Sequence, residues 1–117
     1  MSPVDYTHVT VECSECDRHF LNSAAGVQQA LRAAATTCKL QVLKEDLHNF
    51  RPQGITAYVL LSESHISIHT WPEEGFALVD VLSCSPLEID SLINCLRQSL
   101  KAGSIELYTC YGKHSGQ

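Results

Sequence analysis

The sequence predicts a two-layer α+β domain, a mostly antiparallel sheet with two helices on one face. Short segments alternate apolar and polar residues as strands do, and two longer ones repeat apolar residues at helical spacing. Their order is strand, helix, strands, helix, strand, with no linker or low-complexity stretch between them. Each half reads roughly as a strand–helix–strand unit, without an internal sequence repeat. Covering one face of such a sheet leaves the other open, so self-association through it is expected.

The first strand is "HVTVEC", residues 8–13. Asn22 and Ser23 precede "AAGVQQALRAAATTC", where Val27, Leu31, Ala34 and Cys38 recur at helical spacing. Its alanines favour a helix, and Gly26 weakens it only modestly. "LQVL" (40–43) opens a strand that runs unevenly towards Phe50. "RPQG" (51–54) is a turn, because Pro52 fixes φ and Gly54 tolerates positive φ. "TAYVLL" (56–61), "HISIHTW" (65–71) and "FALVDVL" (76–82) are three successive strands, the last two joined by a turn at "PEEG". In "SPLEIDSLINCLRQSLKAG" a helix capped by Ser85 is expected, with Pro86 in its first turn and Glu88 completing a capping box. Gly103 stops it, and Ile89, Leu92, Ile93, Leu96 and Leu100 form its apolar face. "SIELYTC" is the last strand, and "YGKHSGQ" reads as a tail.

At 117 residues the chain suffices for one core and one domain, residues 1–117. Hydrophobic residues at 44% and charged ones at 18% fit a globular protein, not a disordered one. The net charge of −5 and the absence of a Lys/Arg run argue against nucleic acid as a partner. No apolar run is long enough for a membrane span, and "MSPVDYTHV" lacks the form of a secretory signal. A cytoplasmic protein is expected, whose six cysteines (Cys13, Cys16, Cys38, Cys84, Cys95, Cys110) are reduced thiols.

Three motifs could carry chemistry. Cys13 and Cys16 form a C-x-x-C, but a zinc knuckle needs a second pair, and a redox pair should open a helix, whereas Cys13 ends a strand. His65 and His69 lie four apart on a strand, roughly 13 Å from each other, so they do not share one ion. No metal is expected. Glu63-Ser64 follows a well-formed strand, with His69 five residues beyond the serine. No G-x-S-x-G elbow surrounds it, so a hydrolase triad is unsupported. A serine hydroxyl can instead attack the carbonyl before it if strain and an acid assist. Taken alone, the residues leave that choice open, and a polar strand junction explains them equally well.

The run "SESHISIHTWPEEGFALVDVLSC" resembles the signature of the prokaryotic S-adenosylmethionine decarboxylase proenzymes. "ECDRHFL", "HNFRPQGIT" and His8 extend the similarity from about Tyr6 to the second helix. The resemblance implies self-cleavage between Glu63 and Ser64 into a β chain, 1–63, and an α chain, 64–117. Ser64 then becomes a pyruvoyl group, an electrophilic carbonyl that takes up the substrate amine as a Schiff base and delocalises the electrons left by CO2. By the same resemblance His69 moves a proton during processing, and Thr56, where relatives have Ser, hydrogen-bonds the intermediate. Cys84 is the acid that protonates the substrate carbon. Phe50 stacks on adenine, Glu73 holds the ribose hydroxyls, and Glu15 and Asp17 reach the substrate from a partner subunit. A homodimer of cleaved protomers is implied, with a small-molecule substrate and a place in spermidine synthesis.

The chain also departs from that pattern. Cys13 and Ser14 stand where relatives carry an apolar or aromatic residue and then Tyr; Arg51 and Ser85 are unusual too. These changes touch the pocket and leave the cleavage machinery intact. Pyruvoyl-dependent decarboxylation of arginine or ornithine is therefore the alternative, and an uncleaved regulatory homologue a more distant one.

Overall fold

A computed structural model of the chain describes residues 3–111. Strand β1 (Thr7–Ser14) leads into a short helix α1 (Arg18–Leu21) and the longer α2 (Ala24–Thr37). Strands β2 (Val42–Asn49), β3 (Ile55–Leu61), β4 (Ser64–Trp71) and β5 (Phe76–Ser83) follow, then α3 (Ile89–Leu100) and β6 (Ser104–Tyr111). All six strands join one sheet in the order β2-β3-β4-β5-β1-β6, and every pairing is antiparallel. The expected α+β architecture is therefore observed. The tail beyond residue 111, and the side chain of Cys110, lie outside the described residues.

Alternation divides the sheet into two unlike faces. Val9, Val11, Cys13, Ile55, Ala57, Val59, Leu61, Ile66, Ile68, Ala77, Val79 and Val81 point to one side and are buried. Against them pack Val27, Leu31, Ala34 and Ala35 of α2 and Leu92, Leu96 and Leu100 of α3. Both long helices thus share one face. The opposite face carries His8, Thr10, Thr56, Tyr58, Leu60, His65, His69, Trp71, Leu78 and Asp80, all half-buried or exposed.

Three local expectations differ from what is found. The first is α1, absent from the sequence-based element order: Asp17 caps it, its carboxylate accepting from Phe20 N at 3.0 Å. That hydrogen bond, aided by Lys101 with Nζ 4.0 Å away, holds the Asp17 carboxyl below the usual carboxylate range. The second is the start of α3. Ser85 does not cap it, and Glu88 occupies the N-cap with no side-chain hydrogen bond. Ser83 Oγ donates to Ser85 O at 2.8 Å and accepts from Ser85 N at 3.0 Å. This local turn claims the Ser85 backbone, so the helix starts four residues later. The third is the end of α3: the helix stops at Lys101, in the left-handed conformation, two residues before Gly103. Gly103 is favoured for a different reason: a Cβ there would lie 2.9 Å from Glu15 Cβ.

Candidate active site

Glu63 and Ser64 sit at the hairpin between β3 and β4, where Leu61 pairs with Ser64 and only Ser62 and Glu63 turn the chain. Glu63 has φ 57, the left-handed region, which costs a residue with a Cβ roughly 1 kcal/mol. Ser64 is 5% exposed, and its Oγ has no hydrogen-bond partner among the described residues. Such an orphan hydroxyl is expensive in a folded chain and tends to mark function. The peptide bond between a strained residue and an unengaged serine is suited to attack by that serine. The site therefore fits a serine-derived prosthetic group.

Cys84 belongs to the same end of the sheet. Its neighbour Leu82 is the register partner of His65, and Cys84 lies two residues further along. The paired hydrogen bonds of Ser83 with Ser85 hold the backbone on either side of Cys84. Cys84 is half-buried, unlike Cys13, Cys16 and Cys38, which are buried. Burial pushes the Cys13 thiol up to about 12, with Cys16 adding to it, and burial alone raises Cys16 to about 11. Burial first, then Cys95 and Glu88, raises Cys38 to about 11. Thiols held this high are poor nucleophiles at neutral pH.

The remaining predicted residues gather at the other end. Thr56 and His69 are register partners, and Thr56 Oγ1 lies 2.9 Å from His69 Nδ1. Phe50, Thr56, His69 and Glu73 line one cleft of about 360 Å³, together with Gln53, Trp71 and backbone near Gly54. Its floor is rigid: Thr70 Oγ1 accepts from Ile55 N at 2.9 Å and donates to Leu21 O at 2.8 Å. Gly54, at φ 104, donates its N–H to Asn22 Oδ1 at 3.0 Å. Glu73 rides on a 3₁₀ turn, Pro72–Glu74, closed by Gly75 at φ 61. Cys16 N donates to Gly75 O at 2.9 Å, which ties the segment bearing Glu15 and Asp17 to that turn. The Asp17 carboxylate is already engaged in capping α1.

Within one protomer, then, Ser64 and Cys84 stand apart from Thr56, His69, Phe50 and Glu73. Five residues of extended strand separate Ser64 from His69, about 17 Å. Sequence reasoning missed two features here. Trp71 is a wall of the cleft, and its alternation with buried Thr70 in β4 was the available signal. On the open face Asp80 bridges two histidines, with His8 Nε2 at 2.6 Å and His65 Nε2 at 3.3 Å. That triplet spans three strands, so only sheet order brings it together.

Comparison with known proteins assigns this arrangement to a family. The sequence profile of S-adenosylmethionine decarboxylase matches residues 7–111. The S-adenosylmethionine decarboxylase proenzyme of Methanococcus aeolicus is 37% identical over 101 residues, 86% of each chain. That of Prochlorococcus marinus is 41% identical over 96 residues, covering 81% of this chain and 77% of the relative. The crystal structure of the adenosylmethionine decarboxylase from Aquifex aeolicus superposes with a TM-score of 0.82 at 26% identity, covering 99% of this chain and 100% of that one. Fold and sequence relationship together define a small α+β carboxy-lyase made as a proenzyme. The chain belongs to the S-adenosylmethionine decarboxylase family, pyruvoyl-dependent enzymes of spermidine biosynthesis.

Proposed function

We propose that this chain cleaves itself between Glu63 and Ser64 and then decarboxylates S-adenosylmethionine at a site shared by two protomers. The observation that carries the reading is the buried Ser64 Oγ, without a partner among the described residues, behind a left-handed Glu63. Ser64 Oγ attacks the Glu63 carbonyl carbon, the amide C–N bond breaks, and an ester takes its place. Loss of the Ser64 Cα proton expels the Glu63 carboxylate. Water then replaces the liberated nitrogen as ammonia, leaving the pyruvoyl group on residues 64–117. The strain at Glu63 is released in the first step.

His69, oriented by the Thr56 hydroxyl, suits the proton transfers of this sequence. It cannot reach Ser64 of its own protomer. A second copy laid two-fold against the open face, with its strands reversed, brings its His69 end over the Ser64 end of the first. Exposed Leu60, Trp71 and Tyr108 supply apolar surface for that contact. The pyruvoyl carbonyl, once formed, supplies the electron sink for the pair left by departing CO2. Cys84 then delivers a proton to the substrate carbon, from a backbone held on both sides by Ser83. Phe50 offers a face to the purine, and Glu73 accepts hydrogen bonds from the ribose hydroxyls. Glu15 and Asp17 act beside that turn, Asp17 chiefly by fixing α1.

Phe50 and Glu73 on one cleft favour the adenosyl substrate over arginine or ornithine. The test is intact mass together with CO2 release from each of the three substrates. Two fragments meeting at residue 64, with turnover of S-adenosylmethionine alone, are expected. A chain that remains whole would support a regulatory homologue, and release from arginine or ornithine alone would reassign the substrate.

A further inference from the structure

We infer, resting on the function proposed above, that Asp80 is a positioning residue: through His65 it holds the end of β4 that carries the pyruvoyl group. Neither the cleavage steps nor the decarboxylation steps use Asp80 or the two histidines it bridges. Asp80 sits opposite Thr10 of β1 and Ser67 of β4. His8 and His65 both lie opposite Leu82, one open-face position nearer the Ser64 end. The carboxylate therefore reaches diagonally to both neighbouring strands, a span that long side chains cover. Its Oδ1 lies 2.6 Å from His8 Nε2 and accepts from Thr10 Oγ1 at 3.4 Å, while Oδ2 lies 3.3 Å from His65 Nε2. An ionised carboxylate only accepts, so each imidazole presents its proton at Nε2. Two contacts to β1 thus fix the carboxylate, and its other oxygen is aimed at His65.

His65 is bonded directly to residue 64. In the uncut chain Ser62 and Glu63 close β4 onto β3, so this end of the strand has a covalent tether. Cleavage after Glu63 removes the tether and makes residue 64 the first of the α chain. A new chain end frays unless something ties it down. His65 is the first open-face side chain of β4, and Asp80 joins it to β5 and, through His8 and Thr10, to β1. The electron sink works only while the pyruvoyl carbonyl and the amide linking it to His65 share a plane. A wandering end therefore costs rate, and a held one keeps the reacting geometry in place.

Full-length wild-type and Asp80→Ala proteins are compared by intact mass, by CO2 release from S-adenosylmethionine and by hydrogen–deuterium exchange at the start of β4. Asp80→Ala should cleave completely and lose about ten-fold in kcat, with KM changed by less than about two-fold. Its residues 65–67 should exchange faster than those of the wild type. That difference should vanish when both proteins also carry Ser64→Ala, because the intact hairpin then does the holding. Asp80→Ala combined with His65→Ala should lose no more kcat than either alone. Asp80→Asn, which keeps an acceptor oxygen, should recover part of the loss. Unchanged kcat in fully cleaved Asp80→Ala, or a loss confined to KM, would overturn the inference and leave the proposed function standing. So would an Asp80→Ala chain that stays whole, which puts the carboxylate in cleavage itself. Exchange raised equally in the uncleaved pair would reduce its role to packing. Should Asp80→Ala fail to fold, His65→Phe, which keeps a ring without nitrogen, carries the same measurements. A wild-type chain that never cleaves, or releases no CO2 from S-adenosylmethionine, removes the functional reading, and this inference with it.

Discussion

Glu63 and Ser64 are adjacent in sequence but unlike in environment: one is strained in a two-residue hairpin, the other buried with an unengaged hydroxyl. Ser64→Ala should leave a single chain of full mass, and fragments in that variant would refute attack by Oγ. His69→Ala should slow cleavage about 100-fold or more, the scale of a lost general acid–base group. A time course of fragment formation measures it. Thr56→Val removes the 2.9 Å hydrogen bond to His69 Nδ1 and should slow cleavage less. Cys84→Ala should cleave normally yet release CO2 slowly, which separates its role from that of Ser64. The proposed pairs Glu63–Ser64 and His69–Glu73 could be put forward from sequence because one long motif carries them within a few positions. The Thr56–His69 contact was not, since it depends on the register between β3 and β4.

Helix ends divide the two long helices at the level of elements. Ser23 caps α2 through its side chain, with Gly26 N donating at 3.1 Å, as its position before an apolar-periodic run predicts. Ser85 has the same sequence signature and no such task, because Ser83 reaches its backbone first. Ser23→Ala should therefore cost about 1 kcal/mol in urea unfolding, and Ser85→Ala much less. Equal losses would contradict the geometry. Helix periodicity was readable in both, since Val27, Leu31 and Ala34, and likewise Leu92, Leu96 and Leu100, are the buried faces. Where α3 begins was not readable, because two capping schemes compete for one backbone. The short α1 was missed for a related reason: four residues hold too little periodicity, and its stability comes from the Asp17 cap and from packing.

Assembly and pH response belong to the whole molecule. If His69 serves the serine of a partner, Ser64→Ala protein should rescue cleavage of His69→Ala chains once subunits are exchanged. Each chain then supplies the half that the other lacks. No rescue in mixtures shown by mass to contain heterodimers would place processing within one chain and sink the shared site. The buried thiols give a second expectation. Cys13 titrates at about 12 and Cys16 and Cys38 at about 11 when folded, against 9.0 for a free thiol. Below pH 9 both folded and unfolded chains keep these protons, so stability does not vary on their account. Between pH 9 and about 11–12 the unfolded chain releases them and the folded chain does not, so stability should fall as pH rises. Thermal melts from pH 8 to 11 measure the fall, which should shrink in Cys13→Ala.

By itself the sequence determined the six strands and two long helices, the two helical faces and the contiguous motif at which cleavage is proposed. Each of these is local, written in periodicity or in one contiguous motif. Tertiary structure alone decided which strands are neighbours, and with that the joining of Thr56 to His69 and of Asp80 to two histidines. It also separated Ser64 and Cys84 from His69 and Glu73, although all four stand within about twenty positions of one another in the chain. The reason is the extended strand: five residues of β4 span about 17 Å, so neighbours in sequence become opposite ends of the sheet.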